Sequence, residues 1–156
     1  MSARRLSAKQ FVTECINDPS LHRASVQAKL LTLARAPREG LTHIDCDAVD
    51  KSPAHKNGYI KVKTCGANDV YLHQLAIIAS GDAAELIDAR ENGNNEVSHL
   101  CHDVRCINRA HLCVEPREVN NSRNFCVGTE VAGRLYTNCS HTPRCILLIT
   151  PFHECL

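Results

Sequence analysis

The stretch Val97–Cys126, VSHLCHDVRCINRAHLCVEPREVNNSRNFC, decides the fold. Within it Cys101, Cys106 and His111 are each separated by four residues, and from its last residue Cys126, Cys139, His141 and Cys145 run on, the latter three in a C-x-H-x3-C pattern. Neither spacing is that of a standard zinc finger, so the reading rests on completeness. Three thiolates and one imidazole make a closed tetrahedral zinc site, and the second set supplies all four ligands by itself. The first set lacks one ligand locally. Cys46 is the expected fourth, because it lies in an irregular loop that needs an anchor. Cys65, at a strand end, is the alternative, and Cys113 alternates with His111 in a way that can bring it to the same side. A catalytic zinc keeps one position open for water, whereas both sets close with four protein ligands. Both zincs are therefore expected to be structural, and any chemistry needs another metal.

The rest of the chain fits a support for that stretch. At 156 residues it is one domain's worth, with few aromatics and no Trp, so ten cysteines and nine histidines are the natural reinforcement of a thin core. An even cysteine count also fits a disulfide-stapled secreted domain. Against that, MSARRLSAKQ leads into an amphipathic pattern with no apolar signal-peptide region, and no apolar run is long enough for a membrane span, so a soluble protein is expected. The formal charge is only +1, which assigns any nucleic-acid binding to a local basic face.

Ser7 followed by Gln10 is a capping box, and Phe11, Val12, Cys15 and Ile16 form an apolar stripe, predicting a helix over 8–16 with Cys15 as buried packing. Asp18-Pro19 reads as the cap and first residue of a second helix reaching about Arg35. Residues 36–58 are irregular. Tyr59 to Lys63 alternate, with Ile60 and Val62 on one face and Tyr59, Lys61 and Lys63 on a basic, aromatic other face. Asp69 is placed to cap a helix through Ala79, a short helical stretch runs from Gly81-Asp82 to Arg90, and residues 91–96 read as a loop. His99 lies on a strand fixed by the thiolate two residues on, residues 111–114 return as a second strand, and a helix from Glu115 or Pro116 carries Asn120. That is an α+β arrangement: a ββα-metal (His-Me finger) motif with antiparallel strands, flanking helices and two structural zinc sites. One domain is expected over 1–156, with a core at 45–126 holding the first zinc, 126–145 holding the second, and 146–156 as a tail whose ILLIT is apolar enough to need cover.

The segment resembles the His-Cys box family of homing endonucleases, the zinc-bound branch of the His-Me finger nucleases. The resemblance lies in SHLCH, then RC, then HLC, then an asparagine three residues before Arg123-Asn124, then an aromatic and Cys126, and finally the C-x-H-x3-C. It extends more weakly upstream through Lys56-Asn57-Gly58 and His73, and covers residues 46–145. It implies that His99 is the general base, that Asn120 gives a carbonyl oxygen to one catalytic Mg2+, and that a cation near the scissile phosphate is supplied by Lys61 where the family has an arginine. Lysine offers a point charge instead of a bidentate fork, so Lys63 is a candidate to share that role. Asn121 is the expected decoy beside Asn120.

The resemblance further implies double-stranded DNA as partner, a homodimer cutting a pseudo-palindromic site that can lie in ribosomal DNA, and a nuclear location, although no basic import signal is visible. Tyr59, Lys61, Lys63 and the Lys51–Lys56 loop are the candidates for DNA contact on a β-ribbon. Two other readings compete: a zinc-stabilised DNA-binding or regulatory protein with weak or no cleavage, and a zinc module for protein contacts, which leaves His99 and Asn120 without a role.

Overall fold

The structure is a computed structural model that describes residues 5–35, 46–50, 59–91, 94–126, 128–131, 134–137 and 139–146. Helix α1 (Ala8–Asn17) starts on the Ser7 capping box: the Ser7 hydroxyl accepts from the Gln10 amide and the Gln10 side chain accepts from the Ser7 amide. It buries Phe11, Val12 and Cys15. Helix α2 (Arg23–Thr32) begins later than Asp18-Pro19 predicts. Asp18 spends its carboxylate on the Ser20 amide and hydroxyl, at 3.0 and 2.6 Å, which turns the chain before the helix can start.

Strands β1 (Lys61–Thr64) and β2 (Ala67–Tyr71) form an antiparallel hairpin. Its two turn residues, Cys65 and Gly66, both have positive φ, the condition of a tight hairpin turn that matches strand twist. Asp69 is not a helix cap. It is an extra residue in β2 with φ of 57°, where the register slips between Val62↔Val70 and Thr64↔Ala67, and Asp is among the few residues that tolerate that conformation. Helix α3 (Leu72–Ala79) follows and is buried nearly all round through Leu72, His73, Leu75, Ala76, Ile77 and Ile78, as a central core helix must be. One apolar cluster joins α1, α2 and α3 to Val97, Ile107 and Leu112.

A 3-10 turn at Ala83–Glu85 leads into α4 (Leu86–Glu91). Strands β3 (Asn95–His99) and β4 (Leu112–Pro116) pair antiparallel in the register Asn95↔Pro116 to His99↔Leu112, so β3 begins inside the stretch predicted as loop. Helix α5 (Arg117–Arg123) starts directly after Pro116. This is the ββα unit, and it makes the α+β reading of the sequence correct. Strands β5 (Gly128–Val131) and β6 (Arg134–Thr137) form a third hairpin between Cys126 and Cys139. No helix among the described residues is long and apolar enough to cross a membrane. The Lys51–Lys56 loop, Lys56-Asn57-Gly58 and the tail beyond Ile146 lie outside the described residues.

Candidate zinc-framed active site

Two ligand groups assemble from the loops around the ββα unit. In the first, the ligand atoms of Cys46, Cys101, Cys106 and His111 all lie within 4.8 Å of one another, and in the second those of Cys126, Cys139, His141 and Cys145 do the same. Zn–S bonds of about 2.3 Å and Zn–N bonds of about 2.0–2.1 Å put tetrahedral neighbours roughly 3.6–3.8 Å apart. The observed edges are close to that: 3.4 Å between the Cys46 and Cys101 sulfurs, 3.5 Å from Cys106 Sγ to His111 Nδ1, 3.2 Å from Cys126 Sγ to His141 Nδ1 and 3.4 Å from Cys139 Sγ to the same nitrogen. The nine described cysteines are all free thiols. Packing three thiols together sets them against each other: bonds from Cys101 and Cys46 hold the Cys106 thiol down to about 2, while those from Cys101 and Cys106 push Cys46 far up. A divalent cation removes the conflict by letting all three ionise. The residues present therefore fit zinc at both places.

The choice of Cys46 is made by backbone. The Val49 amide bonds the Arg105 carbonyl at 3.0 Å, the Ile107 amide bonds the Asp47 carbonyl at 2.8 Å, and Ala48 bridges Cys106, so the 46–50 segment is laced along the zinc loop. Cys65 stays in its hairpin turn against the apolar core, and Cys113 bonds the Val114 carbonyl at 3.8 Å and the Glu115 carboxylate and belongs to neither ligand group. His111 is placed by a 3-10 turn at Arg109–His111, anchored where Arg109 bonds Asp82 and Glu85 at 2.8 Å each. The second group is tied to the first by the Ile146 amide, which bonds the Leu100 carbonyl at 2.7 Å.

His99 ends β3 beside this frame. Its ring is bonded to the backbone of Cys106, itself in the first ligand group, and its Nε2 is buried without a hydrogen-bond partner. Burial holds its pKa down to about 4, against the opposing pull of Cys106 and Asp103, so the ring is neutral and carries a free lone pair. Around it stand Tyr59, 6.3 Å away between ring centroids, and His73, edge-on at 5.3 Å; Tyr71 stacks on His73 at 5.2 Å. His73 is also held neutral, to about 3, by burial first and by His99 second. Lys61 pairs with Tyr71 across the hairpin and carries its ammonium 4.9 Å from the centre of that ring, while Lys63 is exposed. A cleft of about 320 Å³ opens beside these rings, lined by Tyr59, Tyr71, His73, Glu96 and Arg117 among others.

Asn120 lies on α5. Its Nδ2 donates to Glu96 Oε2 at 2.9 Å, and Arg117, one turn earlier, donates from Nε to Glu96 Oε1 at 2.7 Å. Arg123, one turn later, grips Glu115 with Nε and Nη2. Glu96 and Glu115 are directly opposite in the β3–β4 register, a like-charge pair that on its own would push the strands apart. The helix face Arg117–Asn120–Arg123 neutralises both carboxylates and so clamps α5 onto the hairpin. Glu115 also accepts from the Ser98 hydroxyl; burial pushes its carboxyl up, but the bonds from Arg123 and Ser98 outweigh that and hold it below the usual carboxylate range. Asn121 faces solvent. No hydrogen bond joins Asn120 to His99.

Four contributors escaped the sequence reading. Glu96 and Glu115 are signalled only by their paired positions on the hairpin, Tyr71 by an aromatic at a strand end. Ser122 is the fourth: its Oγ lies 2.6 Å from His141 Nε2 and 2.7 Å from the Val119 carbonyl, so a proton on Nε2 donates to Ser122, whose own hydroxyl donates to Val119, leaving Nδ1 for a metal.

No solved structure matches this chain. A family model for the zinc-binding loop region of homing endonuclease matches residues 45–155, a span that takes in both ligand groups, the β3–β4 hairpin and α5. With most of its length inside that match, the chain belongs to the family of the homing-endonuclease zinc-binding loop, a nuclease family.

Proposed function

We propose that this protein is a site-specific, double-stranded DNA endonuclease of the homing type, dependent on one Mg2+ per active site and framed by two structural zincs. The observation that carries the reading is His99: a neutral imidazole, oriented through the backbone of a zinc-ligand cysteine, with Nε2 buried and unsatisfied. Nε2 is the atom that takes a proton from an attacking water. Asn120 supplies the amide oxygen for the metal, since Nδ2 is engaged by Glu96 and the other end of the amide is the oxygen that magnesium prefers. Mg2+, when bound, offsets charge on the phosphate and on the departing 3′ oxygen. Lys61, with Lys63 as a second cation, meets the phosphate charge, and Tyr59, Lys61 and Lys63 contact the duplex. A homodimer would match a pseudo-palindromic target, with host ribosomal DNA and the nucleus as the place of action.

The test is incubation of zinc-loaded protein with tiled host DNA, ribosomal DNA included, with and without Mg2+, beside His99→Ala. Discrete cleavage that requires Mg2+ and drops at least about 10²-fold in His99→Ala is expected. Salt-sensitive DNA binding with no cleavage under any condition would overturn the reading in favour of a DNA-binding or regulatory protein. That second reading is favoured by one observation: the cation at position 61 is a lysine resting over Tyr71, without an arginine's fork.

A further inference from the structure

We infer that Glu96 is a positioning residue for the metal-binding amide of Asn120, an inference that rests on the proposed role of Asn120. A carboxamide can present either end to a partner, but an ionised carboxylate only accepts. With Glu96 Oε2 at 2.9 Å, Asn120 must therefore turn its NH2 group to Glu96, and its Oδ1 is turned away from β3's carboxylate and left for a cation. The contact is specific within the helix: the neighbouring Asn121 faces solvent and has no such orienting partner on the hairpin. Arg117 holds the other oxygen of Glu96 at 2.7 Å, which fixes the carboxylate and offsets its charge, so that Glu96 does not compete with Asn120 as an open anionic ligand. Glu96 and Arg117 line the cleft that Tyr71 and His73 also line. Glu96 thus decides which end of the amide faces the metal, in the way that outer partners of metal ligands set the geometry of the inner ones.

The experiment compares wild type, Glu96→Gln, Glu96→Ala, Asn120→Ala and Glu96→Gln/Asn120→Ala, all zinc-loaded. One readout is the Mg2+ concentration for half-maximal cleavage of the DNA that wild type cuts; the other is the Asn120 side-chain amide signal in 15N NMR, its proton exchange and its broadening by added Mn2+. Glu96→Gln should raise the half-saturating Mg2+ by about 10-fold or more, leave KM for DNA within about 2-fold, speed exchange of the Asn120 amide protons and reduce their broadening by Mn2+. In the Asn120→Ala background it should add nothing. If Glu96→Ala loses zinc or unfolds, the near-isosteric Gln variant carries the comparison. Asn120→Ala that shifts the Mg2+ requirement while Glu96→Gln shifts neither readout overturns the role of Glu96 alone. An Asn120 amide that Mn2+ leaves untouched in wild type, with cleavage indifferent to Asn120→Ala, overturns the assigned role of Asn120 and the role of Glu96 with it.

Discussion

Arg123 closes on Glu115 inside the ββα unit, Nη2 to Oε2 at 2.7 Å, with only 2 % and 7 % of the two side chains left to solvent. The same guanidinium reaches the Pro143 carbonyl at 2.9 Å and Cys145 Sγ at 3.4 Å, so one side chain ties α5, β4 and the second ligand group together. Removing one member of a buried pair strands the other, at a cost of about 3–5 kcal/mol. Arg123→Met should therefore lose about that much in urea unfolding and also weaken zinc retention at the Cys126 group. Arg123→Met with Glu115→Leu should lose distinctly less, because no stranded charge remains. Equal losses for the single and double variants would show that the charge pair is not what the fold depends on.

The same pair predicts a pH dependence. The Glu115 carboxyl is held below its ordinary value in the folded state, so its contribution is present above the unfolded carboxylate range and is lost as pH falls through the depressed folded value. Glu115→Gln should be less stable than wild type near neutrality, and the gap should narrow as pH falls below about 4. Unfolding midpoints of both proteins along a pH series, at fixed total zinc, give the difference directly. A gap that stays constant or widens on acidification would contradict the sign.

Zinc removal tests the assignment of the fourth ligand. Chelation should unfold the region from Cys101 to Cys145, since the ligand loops that hold its short strands and helix together draw their folding energy from the metal. Cys46→Ala should lose one zinc of the two, whereas Cys65→Ala should keep both and show only a packing loss of the order of 1 kcal/mol. Metal content after gel filtration is the check, and a Cys65→Ala protein short of one zinc would move the ligand.

What could be read in the sequence divides along the range of the interactions. The Ser7–Gln10 cap was legible because both partners sit within one helical turn. The ββα order of β3, β4 and α5 was legible because the spacing of the ligands that frame it is a local signal. Asp69 misled because its helix-capping pattern is local while the bulge it occupies is set by pairing with β1. Asp18 misled for the opposite reason: Ser20, two residues on, captured it first. Spacing alone could not separate Cys46 from Cys65, since the hydrogen bonds that lace 46–50 to 105–107 cross more than fifty residues. Glu96 and Ser122 went unread because their partners, Asn120 and His141, lie 24 and 19 residues away.

Ser122 supplies the last prediction. His141 Nδ1, 3.2 Å from Cys126 Sγ, can serve a metal only if the other ring nitrogen holds the proton, and the hydroxyl at 2.6 Å stabilises that tautomer while bonding onward to the Val119 carbonyl. Outer partners of this kind are worth about 10–100-fold in metal affinity. Ser122→Ala should therefore lower affinity at the Cys126–Cys145 group by that factor and leave the Cys46–His111 group unchanged, a split visible as two separated steps when zinc is withdrawn by a graded chelator series. Ser122→Thr, which keeps the hydroxyl, should restore most of the loss. Because Arg123 adjoins Ser122 and bonds Cys145, the weakened group should also loosen α5, and hydrogen exchange of the α5 amides should rise in Ser122→Ala at limiting zinc and return to wild-type rates when zinc is in excess. Exchange that stays raised at saturating zinc would mean that the hydroxyl supports the helix through Val119 and not through the metal ligand.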